Sequence, residues 1–250
     1  MRPAPSCPVC NAPCLLLDTV DFNKSCEESR GLHLPLSGVP IYYANCTVCS
    51  FCFAPEFADW SLADFADRIY NDLYIHVDPD YLKTRPEGNA QHLISQFGDR
   101  AKQFKHLDYG GGSGLMSSKL REAGWNSSSY DPFVNTDVNI DKLGKFDFIT
   151  AYEVFEHVPN VVSLIGNLQK LLAPNGVILF STLLSDGEIK KNERLTWWYA
   201  SPRNGHISLF SKASLQIIAE AAGYKTGSFN QGLHAFWTNV PAWASHLINA

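Results

Sequence analysis

The sequence predicts an α/β fold with a mostly parallel, doubly wound sheet, preceded by a small cysteine-rich module. Three observations carry this. An apolar-leaning run from Phe104 to Leu107 leads through Asp108 and Tyr109 into Gly110-Gly111-Gly112-Ser113-Gly114, after which Leu115, Met116, Leu120 and Ala123 recur at helical spacing before Gly124. The order reads strand, tight turn, helix. A second short strand, Ser127 to Tyr130, ends in Asp131, 21 residues after Gly110, the place where a βαβ unit holds a ribose diol. All seven cysteines, at 7, 10, 14, 26, 46, 49 and 52, fall in the first 52 residues, which sets that segment apart from the rest.

Composition bounds the class. The chain has 250 residues, 45% hydrophobic and 18% charged, which excludes a disordered or collagen-like protein. A chain this long buries roughly 70–75% of its unfolded surface, enough for one large core and a satellite module. The apolar stretch from Leu171 to Leu184 is broken by Pro174, Asn175 and Gly176, far short of the ~20 residues a membrane span needs. Met1 to Cys10 lacks an apolar secretory core, so a cytoplasmic protein is expected. The net charge of −5 is uneven: residues 1–100 carry 13 acids against 7 bases, residues 101–250 carry 12 against 13. Between Glu56 and Asp80 seven acids stand against Arg68 alone, a stretch that repels phosphate backbones. Nucleic acid is therefore a poor partner.

Cys7-Pro-Val-Cys10 and Cys46-Thr-Val-Cys49 form two C-x₂-C pairs with 35 residues between them. Two residues between thiolates let one turn present both sulfurs to a tetrahedral ion, and two such turns close a four-sulfur zinc site. Asn11 follows the first pair, where tolerance of positive φ is useful. Cys14, Cys26 and Cys52 are left over, and Cys49-Ser-Phe-Cys52 is a competing pair. An iron–sulfur centre or a redox pair is the alternative; neither pair sits at a helix start after a strand, where a lowered thiol pKa is expected. Four sulfurs leave zinc no open position, so the module is a folding staple or a recognition surface. The expected organisation is residues 1–55 as the zinc module, 56–100 as a helical lid or linker, and 101–250 as the α/β domain.

The glycines also discriminate between ligands. The dinucleotide fingerprint begun at Gly110 requires Gly or Ala at position 115, where the chain has Leu115. The pattern present is D-x-G-x-G-x-G, from Asp108 to Gly114. In this the chain resembles the class I S-adenosylmethionine-dependent methyltransferases, small-molecule type, a Rossmann-like fold. The stretch Phe146-Asp147-Phe148-Ile149-Thr150-Ala151-Tyr152-Glu153-Val154-Phe155-Glu156-His157-Val158 is similar to that family's fourth strand and the turn after it. Leu171 to Phe180 is similar to its helix-to-fifth-strand junction. The likeness covers about residues 104–184. Further on, Trp197-Trp198-Tyr199 and Gly205 to Ser211 resemble the segment where a His precedes a capped helix. Ser211 caps Ala213 to Ala222, and Gly223 stops it. Strands near Tyr224 to Phe229 and Leu233 to Thr238, separated by Asn230-Gln231-Gly232, form a terminal antiparallel hairpin. Only 15 residues separate Asp131 from Asp147, too few for a helix plus a strand, so the third helix is missing or a single turn.

The resemblance implies S-adenosylmethionine as cofactor, with Gly110, Gly112 and Gly114 beneath it and Asp131 on its ribose. Asp108 and Pro132 flank that site, and Asp137 is the candidate for the adenine contact. Tyr152 and Glu153 shape the pocket. Upstream, Trp60 to Tyr74 has a helical rhythm with Ser61 and Asp64 as a capping pair, and a second helix spans Asn89 to Phe97. In similar enzymes such a segment lids the cofactor, which places Tyr74 and Arg85 there, the arginine on the cofactor carboxylate. His157 and His206 are the candidate proton acceptors, and each has a plain reading, His157 as a loop-fixing residue and His206 as an ordinary loop histidine. The substrate pocket is expected where the fourth and fifth strand ends meet Trp197 to His206. The acceptor is a small molecule, methylated on oxygen, nitrogen or carbon, with sugars and secondary metabolites in view. Two other readings stay open: an RNA or protein methyltransferase reading its target through the zinc module, and a non-catalytic cofactor-binding scaffold.

Overall fold

The computed structural model describes residues 5–248, so the leaderless start expected from Met1 to Cys10 lies partly outside the described residues. Among the described residues no helix is long and apolar enough to cross a membrane.

Strands β1 (Cys14–Asp21) and β2 (Pro40–Cys46) occupy the interval between the two cysteine pairs. They pair antiparallel with Cys14 opposite Cys46. The short β3 (Cys52–Phe53) follows. Helix α1 (Leu62–Arg68) starts in the expected capping box, Ser61 Oγ accepting from Asp64 N and the Asp64 carboxylate from Ser61 N. It ends well before Tyr74, a correction with a local cause: Asn71 donates to the Asp67 carbonyl and its Oδ1 takes the Leu73 N–H, an Asx turn that competes with the helix. Helix α2 (Thr84–Phe97) begins earlier than Asn89 and takes Arg85 into its first turn. Pro86 does not delay it, because first-turn N–H groups have no partner within the helix.

The predicted strand, turn, helix, strand order is found as β4 (Lys105–Tyr109), α3 (Leu115–Glu122) and β5 (Asn126–Tyr130). Between β5 and β6 (Phe146–Ala151) the described residues hold a single 3-10 turn, Ile140–Lys142, and no strand. The short interval has thus removed the third strand along with the helix. Helix α4 (Val161–Leu171) runs into β7 (Leu172–Ser181). There Gly176 has no room for a side chain, since a Cβ would meet Leu172 and the Asp147 carbonyl. The two-residue β8 (Ser208–Leu209) precedes α5 (Lys212–Ala221), whose start is capped by Ser211 Oγ on Ser214 N. The hairpin β9 (Lys225–Ser228) and β10 (Leu233–Trp237) closes through Asn230, whose Oδ1 accepts from Gly232 and Leu233 N. A last turn of helix, α6, spans Ser245–Ile248.

These elements form two compact units. The first holds the described residues up to Pro79 with Phe155–Val162 and Thr182–Ile218; the second holds Asp80–Val154, Ser163–Ser181 and the described residues from Ala219 on. The first contains an antiparallel sheet in the order β1-β2-β3-β8. Pairing of Cys52 with Leu209 ties β8 to the N-terminal strands, so this unit draws on segments on both sides of positions 55 and 100. Its core gathers Tyr43, Phe57, Phe65, Ile69, Ile207 and Leu209.

The second unit contains the six-stranded sheet β5-β4-β6-β7-β10-β9. β5, β4, β6 and β7 are parallel, and β10 is antiparallel to both β7 and β9. The strand order reverses between β4 and β6, which opens a crevice beyond their carboxyl ends. One face is packed by Phe97, Phe104, Trp125, Phe148 and Trp243, each worth about 1.5–3 kcal/mol when fully buried.

Candidate functional site

In the second unit the glycine loop leaves β4 at the switch point. Gly110, Gly112 and Gly114 all take positive φ, 75°, 52° and 78°, which L side chains adopt poorly. Packing adds to this at two positions. A Cβ on Gly110 would strike Val154, and one on Gly111 would strike the Ser129 hydroxyl and the Asp108 carboxylate. Gly112 faces open space. Its N–H donates to Asp131 Oδ2 at 3.0 Å, while Phe133 N donates to Oδ1 at 2.8 Å. A carboxylate has about four lone-pair directions, so two remain for a ligand. The Ser129 hydroxyl, buried against this loop, has no hydrogen-bond partner. After β6, Glu153 stands at φ 54°, its N–H on Ser181 Oγ at 2.8 Å and its Oε1 accepting from that hydroxyl at 2.9 Å. Arg85 reaches Glu153 Oε2 at 3.9 Å.

Beneath the loop runs a buried polar chain. Ser117 Oγ donates to the Ser128 carbonyl and Ser127 Oγ to Ser117 Oγ. His106 Nδ1 then donates to Ser127 Oγ at 2.8 Å, and its Nε2 lies 3.0 Å from Thr150 Oγ1, which is 3.1 Å from Asp108 Oδ1. One hydroxyl hydrogen cannot serve both a neutral imidazole nitrogen and a carboxylate; a proton on Asp108 completes the chain. Burial acts the same way, pushing the Asp108 carboxyl up to about 7 with help from Asp131, and pulling His106 down to about 3.

In the first unit the cysteine tetrad is assembled. The sulfurs of Cys7, Cys10, Cys46 and Cys49 lie within 4.8 Å of one another, with separations of 3.6 Å (Cys7–Cys49, Cys10–Cys49) and 3.4 Å (Cys10–Cys46). Zinc–sulfur bonds of about 2.3 Å imply tetrahedral edges of roughly 3.8 Å. Backbone N–H groups of Val9, Val48 and Cys49 donate to Cys7 and Cys46 sulfurs, as thiolates require. The hydrogen bond between Cys7 and Cys49 draws the Cys7 thiol down and pushes the Cys49 thiol up, so the proton they share rests on Cys49. The competing Cys52 is buried in the core around Tyr43, Cys14 points to the Ala12 carbonyl, and Cys26 contacts Ser201 and His206.

The same unit gathers the two candidate histidines. Their ring centroids are 4.9 Å apart, and Glu156 joins them. His157 sits on a 3-10 turn, Phe155–His157, with Tyr70 Oη 3.0 Å from Nδ1 and Glu156 Oε1 3.9 Å from Nε2. His206 lies in the loop before β8, its Nδ1 2.9 Å from the Tyr199 carbonyl. Tyr199 Oη donates to Glu156 Oε1 at 2.7 Å, and Ile207 N to the Glu156 carbonyl. Gly205, at φ 85°, is what lets the loop approach: a Cβ would lie 2.7 Å from Tyr70 Oη and 3.0 Å from His157 Nδ1.

A family model described as a methyltransferase domain matches residues 81–228. The chain belongs to the methyltransferase-domain family. It is similar to a ubiquinone biosynthesis O-methyltransferase of Erwinia tasmaniensis, 31% identical over 117 residues, 38% of this chain and 46% of that protein. A protein of the same name from Pasteurella multocida is 56% identical over 39 residues, 16% of each chain. The chain spans less than half the length of these curated relatives. An O-methyltransferase family protein from Burkholderia thailandensis has a similar structure, with TM-score 0.50 and 14% identity, covering 70% of this chain and 63% of that one. The expected class I methyltransferase fold is therefore present, short of its third strand.

Within this methyltransferase domain the structure brings together Asp108, Gly110, Gly112, Gly114 and Asp131, and separately pairs Arg85 with Glu153. Tyr152 follows β6, its phenol pushed up by burial and by Asp108. Pro132 continues from Asp131. Asp137 is exposed in the turn that replaces the third strand, and there is no strand end to present it. Tyr74 belongs to the core of the first unit, its hydroxyl on the Asn204 carbonyl at 3.3 Å. Sequence reasoning missed Gly111, Ser129, Thr150 and Gly205. Only the Gly111 position carried a local signal, a third consecutive glycine.

Proposed function

We propose that the chain transfers the methyl group of S-adenosylmethionine to a small-molecule nucleophile, with a hydroxyl oxygen as the favoured acceptor. The observation that carries the reading is the cradle at the β4–β6 switch point. Gly112 presents open space, Asp131 keeps acceptor capacity beside it, and the buried Ser129 hydroxyl lacks a partner. These features suit a ribose diol at Asp131 and a ligand lying against the backbone of Gly110 to Gly114. Arg85 would meet the cofactor carboxylate, with Tyr152 and Glu153 shaping the pocket wall and Pro132 beside the ribose-binding Asp131. When bound, the cofactor supplies an activated methyl group on a sulfonium. The relatives' names, both O-methyltransferases, favour oxygen as the methylated atom.

An acceptor hydroxyl must lose its proton as it attacks, and the chain's candidates for receiving it are His157 and His206. His157 is the more open of the two, at 16% side-chain exposure; His206 is buried. Residues 1–55 are proposed as a zinc module in which Cys7, Cys10, Cys46 and Cys49 close all four positions, so that this ion holds the fold and takes no part in transfer. None of the seven cysteines is in a disulfide, which suits a reducing compartment such as the cytoplasm.

The test is calorimetry with S-adenosylmethionine on the full chain and on Asp131→Ala. Loss of hydrogen bonds to a charged acceptor, worth about 1.5–3 kcal/mol, lowers affinity about 10- to 150-fold. Unchanged affinity, or tighter binding of NAD than of the sulfonium, would overturn the reading.

A further inference from the structure

We infer that Glu156, His157 and His206 form a second metal site, distinct from the cysteine tetrad, that takes one divalent first-row transition metal. The three donors lie within 4.8 Å of one another. Bonds of about 2.1 Å place neighbouring ligand atoms roughly 3.0–3.4 Å apart, so the 3.9 Å between His157 Nε2 and Glu156 Oε1 closes with a small side-chain adjustment.

What distinguishes this cluster from a chance grouping is the set of groups behind it. Metal-bound histidines hand their other nitrogen to a carbonyl or hydroxyl, and ligating carboxylates are themselves hydrogen-bonded. Both hold here. His206 Nδ1 is set on the Tyr199 carbonyl at 2.9 Å, which leaves the lone pair on Nε2. His157 Nδ1 is set on Tyr70 Oη at 3.0 Å, with Nε2 on the Glu156 side. Tyr199 Oη holds Glu156 Oε1 at 2.7 Å.

Burial adds the electrostatic reason. The Glu156 side chain is fully buried, and a carboxylate in that position demands a compensating charge. Its ion pair with His157 supplies one only while that imidazole carries a second proton. A dication supplies it with both imidazoles in the neutral form that ligates. Gly205 completes the construction, since any side chain there would displace Tyr70 and His157.

Two imidazoles and one carboxylate suit manganese, iron, cobalt or zinc better than magnesium, which prefers all-oxygen ligation. Three protein ligands leave open positions for water or for an oxygen of a bound small molecule. With a metal held there, the two histidines would be ligands rather than proton acceptors, and the ion would supply Lewis acidity that lets an acceptor hydroxyl give its proton to water. The site itself is independent of the methyl-transfer reading, because it is defined by metal binding alone.

The test uses the full chain carrying a single equivalent of zinc and titrated with Co²⁺. One cobalt per chain should bind in addition to zinc, with the visible spectrum of nitrogen and oxygen ligation and without the intense near-ultraviolet sulfur-to-metal band. Glu156→Gln and His157→Gln should each abolish this second equivalent, and Tyr199→Phe should weaken it about 10- to 100-fold. Circular dichroism melts of the metal-free variants identify any that fail to fold, and His157→Gln, at the more open ligand, guards against collapse of the buried Glu156 variant. Absence of a second equivalent at millimolar cobalt, a sulfur-type spectrum, or full affinity in folded Glu156→Gln and His157→Gln chains would overturn the inference. S-adenosylmethionine affinity, measured on the same samples, reports the cofactor reading separately.

Discussion

His106 and Asp108 sit two residues apart on β4, and hydroxyls from α3, β5 and β6 complete their hydrogen bonds. Glu156, His157 and His206 come instead from a turn and a distant loop, and are steadied by Tyr199 at the start of that loop and by Tyr70 from a further stretch. Both clusters bury a carboxylate with imidazole, yet they are held by different physics. In the first, strand register places every partner, because Leu107 faces Ser128 and Ile149 and its neighbours follow in step. In the second no ladder sets the spacing. The backbone of the 199–207 loop is held by bonds such as His206 N to the Ser201 carbonyl and Ile207 N to the Glu156 carbonyl, and Gly205 admits Tyr70 and His157. A ladder-built cluster survives loss of loop packing; a loop-built one is as ordered as its surroundings.

The two units differ in the same way, and removing the proposed zinc is the most forceful way to test it. Structural zinc sites bind with apparent free energies of about 10–16 kcal/mol, far more than the strands β1 to β3 can replace. Chelation, or Cys46→Ser, should abolish amide-exchange protection across β1 and β2 while β4 and β6 keep theirs. Retained protection in β1 and β2 would mean that the sheet stands without metal; loss in β4 and β6 would mean that the units are not separable.

A smaller effect isolates the ladder-built cluster. Asp108 holds its proton to about pH 7 in the folded chain against an ordinary value of 3.8, so the folded state binds more protons across that window. The carboxyl's own contribution to stability falls as pH rises from about 4 to 7, by up to about 4 kcal/mol for the three-unit shift. His106, pulled down to about 3 from 6.5, contributes the opposite slope over most of that window, so the carboxyl's share is read from the difference between the unaltered chain and Asp108→Asn. Asp108→Asn imitates the protonated carboxyl, with its amide donating to Thr150. It should remove the carboxyl's share and be the more stable form above pH 7 in denaturant titrations of the ligand-free chain. Parallel pH profiles for the two proteins would show that Asp108 is ionised in the fold.

The smallest contrast lies between two adjacent glycines. Gly111→Ala forces a methyl against Ser129 and Asp108 and should destabilise by about 1–3 kcal/mol, as overpacking does. Gly112→Ala meets nothing and carries only the positive-φ penalty, about 1–2 kcal/mol. The discriminating measurement is the second-site variant Ser129→Gly: it should recover part of the Gly111→Ala loss and none of the Gly112→Ala loss. Equal response of both would assign the two glycines the same role.

Local chemistry was enough to read much of this molecule from its residues. The D-x-G-x-G-x-G loop, Asp131 at a strand end, the two C-x₂-C turns and the Ser211 cap each depend on neighbours in sequence, so their geometry is encoded where they stand. The 15-residue interval after Asp131 likewise foretold the missing helix, since chain length limits what an element can be. Tertiary structure decided the rest. Nothing near Asn71 in the periodic run from Trp60 shows that an Asx turn will win over the helix, because the two hydrogen-bonding patterns differ by little. Nothing near position 55 shows that Leu209 will pair with Cys52. The grouping of Glu156 with His157 could be read, being adjacent, but the arrival of His206, Tyr70 and Tyr199 beside them could not. Contacts between residues 40 to 90 positions apart leave no periodicity, and they exist only because the folded backbone carries them to one place.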